Sequence, residues 1–382
     1  MKQKEQASQR APMQILTNLP LVLPLVLFLA LSGCGQFFPK ETGGGGTTTG
    51  ANVYVGNNNT ATVSGFSISS SGITGLSDSP YKLGVSPSAL TITPTNSFVY
   101  VASLAGGIYA YSVGSDGALT VANNGSAVVS GVSPNAIKVD PSGKWLLAVD
   151  STPTAYVFAI NSDGTVTSQG SVPLLAGSSP NHLVFTSSNS FVYVSLGTGG
   201  IAILSFNATS GVLTNNNQVL PPKQSVDAIQ GLAVNSAGTY LYAAETGING
   251  LRVLAITATT GALKEITGSP YTTGTGPAGV ILDSTGSYLY VTNRASNTVS
   301  AFLASSSGAL TAISGSPFAT GTNPIDLAED NTHTYIAVVC AGGSPDMQVF
   351  KIDTTTPGAL DTFKSTATDT DPANALAIVA AN

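Results

Sequence analysis

Beyond residue 50 the chain alternates apolar and polar positions in runs of four to six residues, each bounded by Gly, Ser, Asn or Asp. Runs of this length and period, rich in Val, Ile, Leu, Tyr and Thr, predict half-buried strands. No 3.6-residue apolar pattern after residue 50 is long enough for a helix. Residues 276–321 carry the clearest unit, with strands expected at 279–282, 288–292, 298–303 and 310–313. Asp283-Ser-Thr-Gly286 reads as a turn, residues 294–297 as a polar loop and residues 305–308 as a second turn.

The rest of the chain repeats this unit. A proline opens the first strand at Pro87, Pro134, Pro180, Pro277, Pro324 and Pro372, and Ala228 holds the place left between Pro180 and Pro277. Second-strand centres fall at Tyr54, Tyr100, Leu147, Tyr193, Tyr242, Tyr290 and Ile336, with gaps of 46 to 49 residues. Both series give seven copies of four strands, which predicts an all-β, seven-bladed β-propeller over residues 51–382. The two series are out of phase. The chain begins with a second strand near 52–55, a third near 62–68 and a fourth near 73–76, and it ends on a first strand near 375–379. The last blade is therefore expected to be closed by both termini, which removes the open sheet edges that invite aggregation.

Residues 1–33 stand apart. Lys2, Lys4 and Arg10 precede an apolar run, 15–31, interrupted by Asn18, Pro20 and Pro24 and too short and broken for a comfortable membrane span. The run ends in Leu31-Ser32-Gly33-Cys34, which resembles the bacterial lipobox. That resemblance implies a cleaved signal peptide, lipidation at Cys34 and partnership with a membrane through that lipid. The residue after Cys34 is Gly35 rather than Asp, which points to the outer membrane. Residues 34–50, with four consecutive glycines and three threonines, are expected to be a flexible tether holding the domain about 20 Å from the lipid. The expected location is the cell envelope.

Composition narrows the partners. Charged residues make up only 8%, and the chain without residues 1–33 keeps 10 basic and 18 acidic side chains. No basic stripe is present, so nucleic acid is not an expected partner. No His-x-x-x-His, Cys-x-x-Cys or Asp-x-Asp-x-Asp-Gly pattern occurs, and neither a metal nor another cofactor is expected. Asp369 and Asp371 are two carboxylates in a Thr-rich loop, read as solvated rather than as calcium ligands. Cys340, in an apolar run, reads as a small buried residue. A closed propeller is expected to be a monomer.

In a propeller the first strands line the axis, and the ends of the second strands open on one face, the channel mouth. Candidate catalytic residues there are His182 as general base or acid, Glu245, and Arg294 as an anion holder that also pairs with Glu245 across adjacent blades. Asp326, Asn374, Asn57 and Asp150 are candidate ligand-binding residues. His333, beside the opposite turn, reads as structural, as do the turn carboxylates at Asp140, Asp283 and Asp330. The repeated Ser79-Pro-Tyr81, Ser269-Pro-Tyr271 and Ser316-Pro-Phe318 are expected to end the outer strands.

The second strand Tyr290-Val-Thr-Asn293 and the repeat ending near 308–321 resemble the lactonase family of seven-bladed propellers, with its 6-phosphogluconolactonase-type and muconate-cycloisomerase-type members. The resemblance covers residues 51–382 and implies the propeller fold and hydrolysis of a sugar lactone or related ester. Catalytic members carry Pro-His at the start of an inner strand and Asp-Leu-Gly-x-Asp-Arg after a second strand. Here the corresponding stretches are Pro180-Asn181-His182 and Ser195-Leu-Gly-Thr-Gly-Gly200. The histidine is displaced by one position, which turns its side chain to the other face of the strand, and the acidic and Asp-Arg positions are absent. Two readings stay open. One is an envelope module binding a small molecule, glycan or protein at the channel mouth, favoured by the few charges there. The other is a lactonase-like hydrolase, favoured by the resemblance.

Overall fold

The computed structural model describes residues 51–371 and 374–382; the expected signal segment and tether, with Cys34, and the Pro372 marker lie outside them. Seven antiparallel sheets stand around one axis. Blade 1 runs from its inner strand Pro87–Ile92 through Phe98–Ser103 and Gly107–Val113 to Leu119–Val121. Blade 2 is Pro134–Val139, Trp145–Asp150, Thr154–Ile160 and Val166–Pro173, and blade 3 is His182–Phe185, Phe191–Ser195, Ile201–Asn207 and Val212–Leu220. Blade 4 is Ile229–Val234, Tyr240–Glu245, Gly250–Ile256 and Leu263–Glu265, and blade 5 is Pro277–Leu282, Tyr288–Asn293, Thr298–Ala304 and Leu310–Ala312. Blade 6 is Pro324–Glu329, Tyr335–Cys340, Met347–Ile352 and Leu360–Thr366. Blade 7 takes its inner strand Ala375–Ala380 from the C-terminus and Ala51–Asn57, Thr62–Ser69 and Gly72–Gly75 from the N-terminus. Each inner strand packs on the next all the way round, and Ala375–Ala380 meets both Pro324–Glu329 and Pro87–Ile92.

The apolar core is divided into seven clusters, each shared by two adjacent blades. A second strand is therefore covered on both faces. That is why Trp145–Asp150 and Tyr335–Cys340 are buried at every position, although a strand with one wet face would alternate. The tyrosines that mark the period add a polar staple. Tyr54, Tyr100, Tyr193 and Tyr290 donate to the carbonyls of Gly117, Gly164, Gly261 and Gly358 in the next blade's outer turn, at 2.7 to 3.2 Å. Those glycines hold φ between 69° and 83°, where a Cβ is disfavoured, and pack against an aromatic ring or a side chain of the preceding blade. In blade 2 Leu147 replaces the tyrosine, and Trp145 Nε1 makes the corresponding bond to Ala208 at 2.8 Å.

One strand expectation needs correction. In blades 1, 4, 5 and 7 the outer strand is split, and a second short piece pairs with the third strand instead of ending the fourth. The Ser-Pro-aromatic motifs lie at this break in blades 4, 5 and 7. The serine Oγ of Ser79, Ser269 and Ser316 accepts the third-strand amides of Gly65, Val253 and Ala301, and the aromatic residue opens the second piece.

The closing blade is latched by two carboxylates, one buried and one half-buried. Asp346 is fully buried; its Oδ1 accepts Thr368 N at 2.8 Å, and its Oδ2 accepts Thr368 Oγ1, Asn374 N and Ala375 N at 2.8, 3.2 and 3.0 Å. Asp369 accepts Thr60 and Thr62 hydroxyls and the Asn374 amide, so it ties the C-terminal segment to the N-terminal strands.

Candidate functional site

The seven inner strands contain four ionisable side chains: Lys138, His182, Asp326 and Glu329. His182 lies opposite Ser195, and Asp326 opposite Val339, each two residues beyond its proline marker, so both stand at one level of the bore. Lys138 is two positions further along its own strand, about 7 Å deeper at the rise of a strand. Glu329 lies at the far end and accepts from Ser284.

Three of these groups sense one another. Burial pushes the His182 imidazole down to about 4, and the nearby Lys138 ammonium pushes it the same way. Burial lowers the Lys138 pKa, against the attraction of Asp326. Burial raises the Asp326 carboxyl, opposed by bonds from Ile378 N and Leu327 N at 3.1 and 2.9 Å and by Lys138. Lys138, in the inner strand of blade 2, is exposed to solvent. Its ammonium makes no ion pair or hydrogen bond with the described residues, and His182 Nδ1 is buried with no hydrogen-bond partner among them.

The wall that carries these groups is sewn from blade to blade. The residue after the marker donates to the next inner strand: Ser88 Oγ to Pro134 O, Asn135 Nδ2 to Pro180 O, and Asn181 Nδ2 to Ile229 O, at 2.6, 2.8 and 3.3 Å. Asn181 thus occupies the place where a Pro-His pair would put its histidine.

The other sequence candidates are held elsewhere. Glu245 is fully buried, and its partner is Arg252 of the adjacent strand at 3.3 Å rather than Arg294. Arg252 also pairs with Glu265 at 3.2 Å, and Lys223 Nζ reaches Glu265 at 2.7 Å, which completes a four-charge network within and beside blade 4. Burial raises Glu245, opposed by the Lys223 amide and Arg252. For Glu265 burial is outweighed by bonds from Lys223, Ser269 and Arg252, which hold its carboxyl low. Arg294 is exposed and donates from Nε to Asn323 Oδ1 at 3.1 Å. No hydrogen bond or ion pair joins any two of His182, Glu245 and Arg294.

The candidate ligand-binding residues are spent on the fold. Asp150 accepts Thr152 N, Thr152 Oγ1, Thr154 N and Tyr156 OH at 2.6 to 3.2 Å and so shapes its own loop. Asn57 donates to Thr62 and Ser64 hydroxyls and accepts from Thr368 Oγ1 at 2.8 Å. Asn374 donates to Thr60 and Asp369, accepts from Asn59 N, and belongs to the closing latch. A cavity of about 360 Å³ lies between blades 1 and 2, lined by Val129, Val132, Tyr156, Phe158 and Val166, none of them a sequence candidate. Among the described residues no three His, Cys, Asp or Glu side chains cluster as metal ligands. Cys340 is buried, and burial lifts its thiol to about 11.

Sequence reasoning missed Lys138, Arg252 and Asp346. Lys138 had a signal, as the one cation in an inner strand. Arg252 had another: the register sets Ala243 opposite Arg252 and Glu245 opposite Gly250, so Glu245 and Arg252 are diagonal neighbours on one face.

The sequence pattern of the lactonase, seven-bladed β-propeller family matches residues 47–319, more than half of the chain. The chain belongs to this family. No curated protein matches the sequence of this lactonase-family propeller. Among solved structures it is similar to a candidate 6-phosphogluconolactonase from Bacteroides uniformis, with TM-score 0.73 and 18% identity over 87% of this chain and 99% of that one. A second, from Bacteroides fragilis, gives TM-score 0.71 and 20% identity over 88% and 99%. The periplasmic gluconolactonase of Pseudomonas aeruginosa gives TM-score 0.56 and 17% identity over 70% and 97%. At these identities the likeness is one of fold.

Proposed function

We propose that this lactonase-family propeller is a ligand-binding module of the cell envelope, anchored through lipid on Cys34 and taking a small polar molecule at its channel. The observation that carries this reading is the distribution of free polar groups. Glu245, Asp150, Asn57 and Asn374 are committed to intramolecular bonds, whereas Lys138 and His182 in the bore are not. A site that binds needs convergent unpaired groups; a site that hydrolyses also needs an acid–base pair within reach of one substrate. His182, Glu245 and Arg294 make no contact with one another. A glycan or protein of the envelope at the same face is a further outcome of the binding assays.

Lactone hydrolysis is the second reading. Family membership favours it, as does an inner-strand histidine that burial keeps neutral near pH 7. The test is turnover by the full chain on sugar and acyl lactones, beside His182→Ala and Arg294→Ala. Turnover that disappears in either folded variant makes the protein an enzyme and names a residue. No turnover together with saturable ligand binding supports the module. For the anchor, Cys34→Ala should move the protein from the membrane to the soluble fraction of its host; unchanged membrane association would refute lipid anchoring.

A further inference from the structure

We infer that the cavity between blades 1 and 2 is a binding site for a small uncharged molecule carrying one aromatic ring, of the phenol or benzyl alcohol class. No inner-strand residue lines it, so it is separate from the channel. The internal repeat says what is missing there. In blades 4, 5 and 7 the second piece of the outer strand opens on an aromatic residue. Tyr81, Tyr271 and Phe318 all stand opposite the second residue of the third strand, Val63, Leu251 and Val299. Each packs toward an aromatic residue of the next blade. Tyr81 meets Tyr111 with ring centroids 6.4 Å apart, and Tyr271 and Phe318 pack on the core clusters that hold Phe302 and Phe350. Blade 1 is also split, but Ala127-Val128-Val129 stands where the others have Ser-Pro-aromatic, and Val129 takes the aromatic position, opposite Ile108. The next blade still presents the partner ring. Phe158, opposite Leu146, holds the register place of Tyr111, Phe302 and Phe350. A valine therefore stands where the other split blades supply a ring, and there the cavity of about 360 Å³ opens.

The lining selects a neutral ring. Four valines surround Tyr156 and Phe158, whose rings lie 6.3 Å apart and 14° from parallel. The Tyr156 hydroxyl donates to Asp150 Oδ2 at 2.9 Å, so this ring is oriented before a ligand arrives. An incoming ring gains the offset or edge contacts that aromatic pairs favour. An apolar cavity of about 150 Å³ holds one benzene molecule, so the space here takes a ring and a short substituent. Ser130 and Ser168 are exposed members of the lining, and neither hydroxyl bonds to a described residue. They can meet one neutral polar substituent. No Lys, Arg or His lines the cavity, so a carboxylate would enter without a counter-charge.

The test is valine-methyl NMR of the full chain, with the Val129 and Val166 signals assigned by Val129→Ile and Val166→Ile. The probes are benzyl alcohol, cyclohexylmethanol and sodium benzoate. Benzyl alcohol should shift both signals saturably. It should bind about threefold or more tighter than cyclohexylmethanol, the smaller end of what an aromatic pair adds, and about tenfold or more tighter than benzoate. Val129→Phe restores the arrangement of the other split blades. It should weaken benzyl alcohol binding by about tenfold or more and raise the thermal midpoint. If that variant does not fold, the wild-type shifts decide: they must centre on Val129 and Val166, and shifts spread evenly over the seven blades overturn the site. Absence of a saturable shift, or equal affinity in folded Val129→Phe, also overturns it. Equal affinity for cyclohexylmethanol overturns the aromatic ligand class, and equal affinity for benzoate overturns the neutral one.

Discussion

Replacing Asp346 by Asn should loosen the ring at its seam. The change keeps shape and removes one acceptor and one charge. In the fold Oδ2 accepts three donors and Oδ1 accepts one, so the amide will place its oxygen at the Oδ2 side. Its NH₂ then faces the Thr368 amide, a buried donor left without an acceptor, at a cost of about 1–3 kcal/mol. The three remaining bonds fall from charge-assisted to neutral, each weaker by roughly 1 kcal/mol. Partial relaxation reduces the sum, and about 3 kcal/mol is a reasonable expectation against a total stability of about 5–15 kcal/mol. The loss belongs to the seam, because Thr368, Asn374 and Ala375 deliver the C-terminal strand to blade 7. Amide hydrogen exchange should therefore speed up about a hundredfold in Ala375–Ala380 and in its partner Ala51–Asn57, with much less change in blades 3 and 4. Denaturant unfolding gives the global figure. A loss under about 1 kcal/mol, or exchange accelerated equally in all seven blades, would refute the latch argument.

Three other outcomes follow from the same structure. Arg252→Met leaves Glu245 fully buried with its cation removed and should cost about 3–5 kcal/mol in urea unfolding, with the loss largely reversed when Glu245→Gln is added. His182 has a folded pKa of about 4 against an ordinary 6.5, so the unfolded chain binds more protons in that window. Its contribution, about 3 kcal/mol, is present above pH 6.5 and lost as pH falls to 4; the wild-type minus His182→Asn difference in unfolding free energy should show that slope, and a flat difference would contradict it. Tyr193→Phe removes one blade-to-blade staple to Gly261 and should cost about 1 kcal/mol without changing blade count or far-ultraviolet spectrum, as measured by denaturation and circular dichroism.

The repeat, the blade count and the closure by both termini were legible in the chain alone. Strand period, turn residues and proline markers are local signals, and seven copies repeat them. The phase offset between Pro87 and Tyr54 already required Ala375–Ala380 to pair with Ala51–Asn57. The turn roles of Asp140, Asp283 and Asp330 were equally local, since each carboxylate accepts amides within five residues. The split outer strands were not legible, because the second piece is chosen by pairing with the third strand across a loop. The site was only half legible. His182 and Asp326 could be placed in inner strands from the markers, but their relation to Lys138 needed the closed ring, which brings residues 138 and 326 into electrostatic contact across 188 positions of sequence. Arg252 rather than Arg294 pairs with Glu245 because sheet register, not loop proximity, sets which charges share a face. Local pattern fixes where strands begin and which way their side chains alternate. Which side chain meets which across blades is a property of the assembled ring, and that is where the polar chemistry of this propeller is decided.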